Sequence, residues 1–395
     1  MFLNKIHSDM KKAYKLILLL TLSIVLAGIY TSCTKSDSLP NNGEPLVKYV
    51  RNTDPKISDS LLVGAFQGNL VAIVGENLKD AVAVWFNDQK ASLTPTYVTD
   101  KSILVSVPTP IPLTITNKLK IVFSNGKTLL YDFKVQISEP VVSSMDCEYV
   151  LTNGIATIHG NYFYAPMSVT FAGGVKGEIQ SISTDNTIVK VKVPAGALPG
   201  QITVTTNFGV TKSDFWFLDN RNIFISSDPF TGWWNASFVV SNPGAGDPPS
   251  INGNYIRVKK FIGGWSWIEA AGGPPDAMGA ISKNIPDDAI LKPSDYNLKF
   301  EVNTVKPYNG NNIVINAGLS SDFNNNAYNW KPPYDTKGVW QTVTIPFDEV
   351  AKSYGTSLSL NANGYYTRIL FFGGGDLDCD MSFDNFRVVP KVIKK

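Results

Sequence analysis

Between Tyr49 and Asp219 the chain passes twice through the same order of short strands and turns, and this repeat limits the fold more than any other feature. In the first pass the apolar run Leu70-Val71-Ala72-Ile73-Val74 leads into Gly75-Glu76-Asn77-Leu78. Strands follow at 81–86, at 103–107 just before Pro108, at 119–123, and at 129–135 after the turn Ser124-Asn125-Gly126. In the second pass Ile155-Ala156-Thr157-Ile158-His159 leads into Gly160-Asn161-Tyr162-Phe163. Strands follow at 168–174, at 188–193 before Pro194, at 202–206, and at 215–218 after Asn207-Phe208-Gly209. Alternating apolar positions with turns at this spacing are what a small β-sandwich needs. The glycines are expected to supply positive φ in the turns, and the prolines to end strand pairing at a sheet edge.

Composition supports an all-β chain of several domains. Hydrophobic residues make up 44 % of the 395 residues and charged residues 17 %, which is ample for packed cores. At roughly 100–200 residues per domain, that length predicts two to four domains. From about Asn220 the character changes. Five of the eight tryptophans fall between Trp233 and Trp330, among many Asn, Gly and Tyr. Strand-like runs at 255–259, 296–305, 313–319, 340–347, 365–372 and 381–389 predict a jelly-roll sandwich. The expected order is a leader over 1–32, a tether over 33–48, sandwiches over 49–138 and 139–219, and a jelly roll over 220–395.

The N-terminus reads as an address. Lys11, Lys12 and Lys15 precede Leu16-Ile17-Leu18-Leu19-Leu20, and the run stays apolar through Ala27. This is the pattern of a secretory signal. The alternative is a single anchor helix, but the apolar core is short of the roughly 20 residues a membrane span requires. Met10-Lys11-Lys12 is a more natural start than Met1. Cys33 follows Tyr30-Thr31-Ser32, a partial match to the acylation motif of bacterial lipoproteins in which only Ser32 fits. Acylation of Cys33 is expected, with an ordinary signal peptide and incidental cysteine as the alternative. Cys147 and Cys379 fall in different expected domains, so no disulfide is expected between them.

Several function classes are disfavoured. A formal net charge of +2 gives no field to draw nucleic acid, and no phosphate loop or basic stripe occurs. The histidines are His7 and His159, and His7 lies in the expected leader, which argues against a multi-histidine metal site or a Ser-His-Asp centre. His159, at a strand end, reads as structural. The acidic run Asp376-Leu377-Asp378-Cys379-Asp380 with Asp384 has the oxygen chemistry for calcium but no EF-hand spacing. A solvated acidic turn is the preferred reading, so no metal and no cofactor is expected. Nothing marks these carboxylates as a glycosidase pair across a cleft.

Aromatic residues near turns are the positive signal. Flat rings stack on the apolar faces of pyranoses, and a few amide or guanidinium groups take the hydroxyls. Trp233-Trp234 and Trp265-Ser266-Trp267 both adjoin glycines. In an alternating strand Trp265 and Trp267 would face one side. Tyr328, Trp330 and Tyr334 form a third group, in a segment that reads as a loop. Arg257, Asn316, Asn329 and Arg368 are candidate polar contacts, and Trp340, opening a regular strand, is assigned to packing. The alternative for each tryptophan is a place in the core.

The two repeated units resemble the IPT/TIG family of immunoglobulin-like domains, most clearly at Gly160-Asn161-Tyr162-Phe163 and Val193-Pro194. The segments 340–347 and 383–388 resemble late strands of carbohydrate-binding jelly rolls. Lipid cysteine, paired sandwiches and terminal jelly roll together resemble the surface glycan-binding proteins of Bacteroidetes polysaccharide-utilisation systems. The resemblance implies a non-catalytic, monomeric lipoprotein on the outer membrane facing outward, attached through its acyl chains only. It implies a polysaccharide ligand, with a β-glucan such as xyloglucan, mixed-linkage glucan or laminarin favoured. It also implies an outer-membrane importer and companion glycan-binding lipoproteins as partners, and it favours the Trp233/Trp234 and Trp265/Trp267 regions for the site. The rivals are a polysaccharide-degrading enzyme with a jelly-roll catalytic domain, and an adhesin that binds protein through the sandwiches.

Overall fold

The computed structural model describes residues 43–57, 60–233 and 235–391. The expected leader, Cys33 and Trp234 lie outside the described residues. The chain divides into two compact units, Met1–Ile137 and Ser138–Lys395.

The first unit is a β-sandwich. One sheet runs in the order Leu61–Leu62, Leu46–Asn52, Leu70–Glu76, Ser102–Ser106. The other runs Gln89–Lys90, Ala81–Phe86, Lys118–Phe123, Thr128–Asp132. Strict alternation sends Leu119, Ile121 and Phe123 inward, where they meet Val71, Ile73 and Val84 in one core.

In the second unit, the strands Val141–Met145, Ile155–Asn161, Ile188–Lys192 and Glu178–Ile182 pair in that order. They pack on a second sheet of Met167–Ala172, Leu198–Thr206 and Gly209–Lys212. The strand before Pro108 is an edge, as expected, but the strand before Pro194 lies between two neighbours. Pairing there continues through Val193, whose N–H donates to Gly154 O at 2.9 Å. Pro194 therefore stops the ladder along its length and does not mark an edge.

The repeated glycines also act differently from the expectation. Neither Gly75 nor Gly160 has positive φ; Asn77 (φ 56°) and Tyr162 (φ 61°), two residues later, do. A Cβ on Gly75 would stand 1.9 Å from Leu46 O, and one on Gly160 1.8 Å from Val141 O. Close approach of a paired backbone carbonyl requires glycine at both places. An aromatic residue in the left-handed region, as at Tyr162, costs on the order of 1–3 kcal/mol.

From residue 223 a larger sandwich follows. Its first sheet runs Val239–Val240, Tyr255–Ile262, Leu377–Pro390, Tyr296–Thr304, Gln341–Pro346, with Ile223–Ile225 also paired to Leu377–Pro390. Its second runs Ile268–Gly273, Tyr366–Phe371, Ile313–Leu319, Tyr328–Trp330. Val258, Phe300 and Val302 of the first sheet meet Ile313, Ile315, Ile369 and Phe371 of the second, and Phe300 stacks on Phe386 at 4.8 Å.

This sandwich and the one before it share a buried polar seam within the second unit. Glu148 accepts from Lys299 Nζ at 2.5 Å and from Arg387 Nη2 at 2.7 Å. Arg387, with no exposed surface, also donates to Glu301 at 2.8 and 3.0 Å. The N–H of Glu148 donates to Thr342 Oγ1 at 2.8 Å. Beside the seam, Cys147 and Tyr149 pack with Ile251, Tyr255 and Trp340. Trp340 is thus a packing residue, with its Nε1–H on Pro249 O at 2.8 Å. Cys147 and Cys379 are both buried, free thiols.

Candidate functional site

The outer face of the four-stranded sheet carries a cleft of about 700 Å³. Period-two alternation builds its floor. In Ile313–Leu319, Ile313, Ile315 and Ala317 enter the core, while Val314 and Asn316 turn the other way. In Tyr366–Phe371, Ile369 and Phe371 enter the core, while Arg368 and Leu370 turn outward. Register places Val314 opposite Leu370, and Asn316 opposite Arg368. Phe372 continues the outward row, so the floor is Val314, Leu370, Phe372 and Arg368.

The two edges of the sheet supply different chemistry. Beside the first edge strand, Trp265 and Trp267 line the cleft at 68 % and 51 % exposure. Both rings rest against Phe372, at centroid distances of 5.5 and 5.2 Å. Trp265 is not on a strand. It occupies a turn at φ 62°, with its N–H on Gly373 O at 2.7 Å. Glycines make that turn possible: a Cβ on Gly264 would approach Gly375 N to 3.2 Å, and one on Gly374 would meet the Trp265 ring at 3.5 Å. From the opposite edge come Asn329 and Lys331, with Asn312 and Asn324 nearby on the lining. Asn312 Nδ2 donates to Asn329 Oδ1 at 2.6 Å.

Arg368 is fixed in place. It is 3 % exposed and donates from Nε to Asn316 Oδ1 (2.9 Å), from Nη1 to Asn324 Oδ1 (2.8 Å) and from Nη2 to Phe323 O (3.1 Å). Glu269 lies 3.5 Å from its Nη1. Burial pulls its pKa below the usual guanidinium value, and Glu269 opposes that shift. The guanidinium carbon sits 5.1 Å from the Trp267 ring centroid and 4.5 Å from that of Phe323. Asn316 therefore serves behind the surface, holding Arg368, rather than facing a ligand. Asn326, which receives a hydrogen bond from Asn316, is tied to Thr356 and Asp322 and so braces the loop that carries Asn324.

The remaining candidates lie elsewhere. Tyr328 and Trp330 are in a strand, not a loop, and alternation turns both toward the core while Asn329 faces the cleft. Trp330 packs on Phe300, Tyr308 and Tyr334, and Tyr334 donates to Gln341 Oε1 at 3.1 Å. Trp233 is half-buried against the core, 6.0 Å from Phe323. Arg257 is buried on the other sheet, donating to Asp380 at 2.7 and 2.9 Å and to Asp247. That pairing, chiefly to Asp380, raises its pKa.

The acidic run does not converge. Asp376 accepts from Gly264 N at 2.9 Å, Asp378 pairs with Lys306 at 2.6 Å and Asp380 with Arg257. No group of three His, Cys, Asp or Glu able to hold a metal occurs among the described residues. His159 pairs with Asp146 at 2.6 Å. Phe372, Asn312, Asn324 and Lys331 were not singled out from sequence, although the alternation through 366–372 carries the signal for Phe372.

The cleft lining holds two exposed indoles, several amides and two cations, with no carboxylate among the lining residues. Such a surface can stack on sugar rings and hydrogen-bond their hydroxyls. It has no paired acid and base for glycoside cleavage.

Residues 217–390, the span that carries the cleft, match the family model described as the surface glycan-binding protein B xyloglucan binding domain. An IPT/TIG domain-containing protein of Bacteroides ovatus is 30 % identical over 139 residues. That match covers 33 % of this chain, and the chain spans only 28 % of the length of that relative. The crystal structure of a surface glycan-binding protein from Prevotella bryantii, at 25 % identity, superposes with a TM-score of 0.66 over 89 % of this chain and 99 % of that one. A surface glycan-binding protein from a complex xyloglucan utilisation locus of Bacteroides uniformis is 18 % identical, with a TM-score of 0.49 over 88 % of this chain and 100 % of that one.

Proposed function

We propose that this chain, whose C-terminal domain belongs to the surface glycan-binding protein family of the Bacteroidetes, captures a β-glucan in the Trp265/Trp267 cleft without cleaving it. The carrying observation is the coincidence of the family match with a cleft whose rim presents two half-exposed or more exposed indoles over a fixed arginine. Xyloglucan is the first ligand to test, followed by mixed-linkage glucan and laminarin. Trp265 and Trp267 stack on pyranose faces, and Asn312, Asn324, Asn329, Lys331 and the one Nη2 N–H of Arg368 not given to Phe323 O take hydroxyls. A few stacked rings give modest affinity, a Kd of about 10⁻⁶–10⁻⁴ M, which many copies on one cell would raise by avidity.

The same reading places the protein on the outer face of the outer membrane through acyl chains on Cys33, delivering polymer to an importer and companion lipoproteins. Among the described residues no helix is long and apolar enough to cross a membrane.

Isothermal titration of residues 34–395 against xyloglucan, mixed-linkage glucan, laminarin, an α-glucan and a mannan tests the function. Binding to one or more β-glucans, weakened beyond the range of titration in Trp265→Ala or Trp267→Ala, is expected. No binding to any polymer would reject the reading and favour a protein-binding role.

A further inference from the structure

The internal repeat provides a comparison within the molecule. Asn77 and Tyr162 occupy the same place in the two sandwiches, two residues after the glycine pressed against a strand carbonyl, and both have positive φ. Asparagine suits that backbone, and Asn77 uses its side chain to tie down Glu44 O at 2.9 Å. The second sandwich instead holds a tyrosine there, with 41 % of its surface exposed. A bulky side chain at positive φ is strained, and strain maintained on an exposed ring points to a use for that ring.

Tyr162 does not stand alone. Its ring lies 6.1 Å from Tyr164, and Tyr164 meets Phe208 edge-on at 5.8 Å and 88°. Neither phenol hydroxyl makes a hydrogen bond among the described residues. Asn161 and Asn207, the chain neighbours of Tyr162 and Phe208, are both exposed. The cleft offers a partial parallel: Trp265 is also an aromatic at positive φ and packs against another aromatic ring, Phe372, at 5.5 Å, with asparagines on the same lining. Of the residues other than Asn, Asp and Gly at positive φ in the described chain, these two are the aromatic ones.

We infer that Tyr162, packed on Tyr164, which Phe208 in turn braces, is a second glycan platform, one that stacks on a pyranose face of the same polymer the cleft holds. It rests on the reading of the chain as a β-glucan binder. A purely aromatic patch with exposed amides next to it in the chain suits a neutral sugar ring, with its apolar face and outlying hydroxyls, better than an aliphatic protein surface. The platform is a weak site that contributes when one long chain occupies both places.

The test uses residues 34–395 with Tyr162→Asn, the residue the first sandwich carries, and Tyr162→Phe, which keeps the ring. Tyr162→Asn should melt no lower than the parent, because asparagine relieves the backbone. By titration it should weaken binding of polymeric xyloglucan by about tenfold while leaving a xyloglucan heptasaccharide within about twofold. In the Trp265→Ala/Trp267→Ala background, the residual retention of polymer in an affinity gel should vanish with Tyr162→Asn and persist with Tyr162→Phe. Polymer binding unchanged by Tyr162→Asn in both backgrounds overturns the platform and leaves a protein as the occupant of the patch. A parent that binds no β-glucan sinks the underlying reading as well, so the two failures are distinct.

Discussion

Glu148→Gln tests whether the second sandwich and the C-terminal domain are locked by their buried charges. Glu148 faces two cations, Lys299 and Arg387, and all three side chains are at most 8 % exposed. A glutamine removes the negative charge and can accept from only one of them through its carbonyl oxygen, while its amide N–H groups oppose the other. Arg387 keeps Glu301, itself fully buried, at 2.8 and 3.0 Å, so the loss falls on Lys299. Removing one partner of a buried pair costs about 3–5 kcal/mol, and the retained Glu301 argues for the lower end, about 3 kcal/mol. At roughly 2–4 °C per kcal/mol for a unit of this size, the melting temperature should fall by about 6–12 °C. Scanning calorimetry reads this directly. Adding Lys299→Met should recover part of the loss, since the orphaned charge is then gone. A Glu148→Gln protein that melts within about 1 °C of the parent would refute the lock.

Three further outcomes follow from single sites. Asp384 is buried, and burial, then Glu301, raises its pKa, so the folded chain binds its proton more tightly than the unfolded chain. Stability contributed there falls as pH rises through the window between the two pKa values, and Asp384→Asn should melt above the parent at pH 8, with the gap closing toward pH 4 in thermal melts. Gly160→Ala would drive a methyl into Val141 O, and chemical denaturation should show a loss of about 3 kcal/mol or more, with no such loss at the open position Gly174→Ala beyond that of its positive φ. Arg368→Lys cannot reproduce the fork to Asn316, Asn324 and Phe323 O, and titration should show β-glucan binding weakened at least about tenfold, or about 1.4 kcal/mol.

Local patterning carried most of the fold. Period-two alternation in 118–123 and 313–319 decides which side chains enter a core, and the turn glycines and asparagines set where strands end. The exposed pair Trp265 and Trp267 was legible because Gly263 and Gly264 just before it point to a turn and argue against a deep strand position. Tyr328 and Trp330 were misplaced through the Asn, Lys and Pro around them, which suggest a loop. The three-residue strand turns both inward and leaves Asn329 outside. Arg257 and the Asp376–Asp384 run could not be read locally, because partners that occupy them are far away in sequence: Arg257 and Asp380 are 123 residues apart, Lys306 and Asp378 are 72. Distance in sequence also hides the seam joining Glu148 to Arg387. The role of Gly75 and Gly160 was concealed for a related reason: the carbonyl that excludes a Cβ belongs to another strand.

The most direct measurement is a crystal structure of residues 34–395 with a xyloglucan oligosaccharide. The glucan backbone should cross the outer face of the four-stranded sheet, with one glucosyl ring on Trp265, another on Trp267, and a hydroxyl within hydrogen-bond distance of Arg368. An oligosaccharide seated elsewhere, with both indoles still facing solvent, would contradict the account.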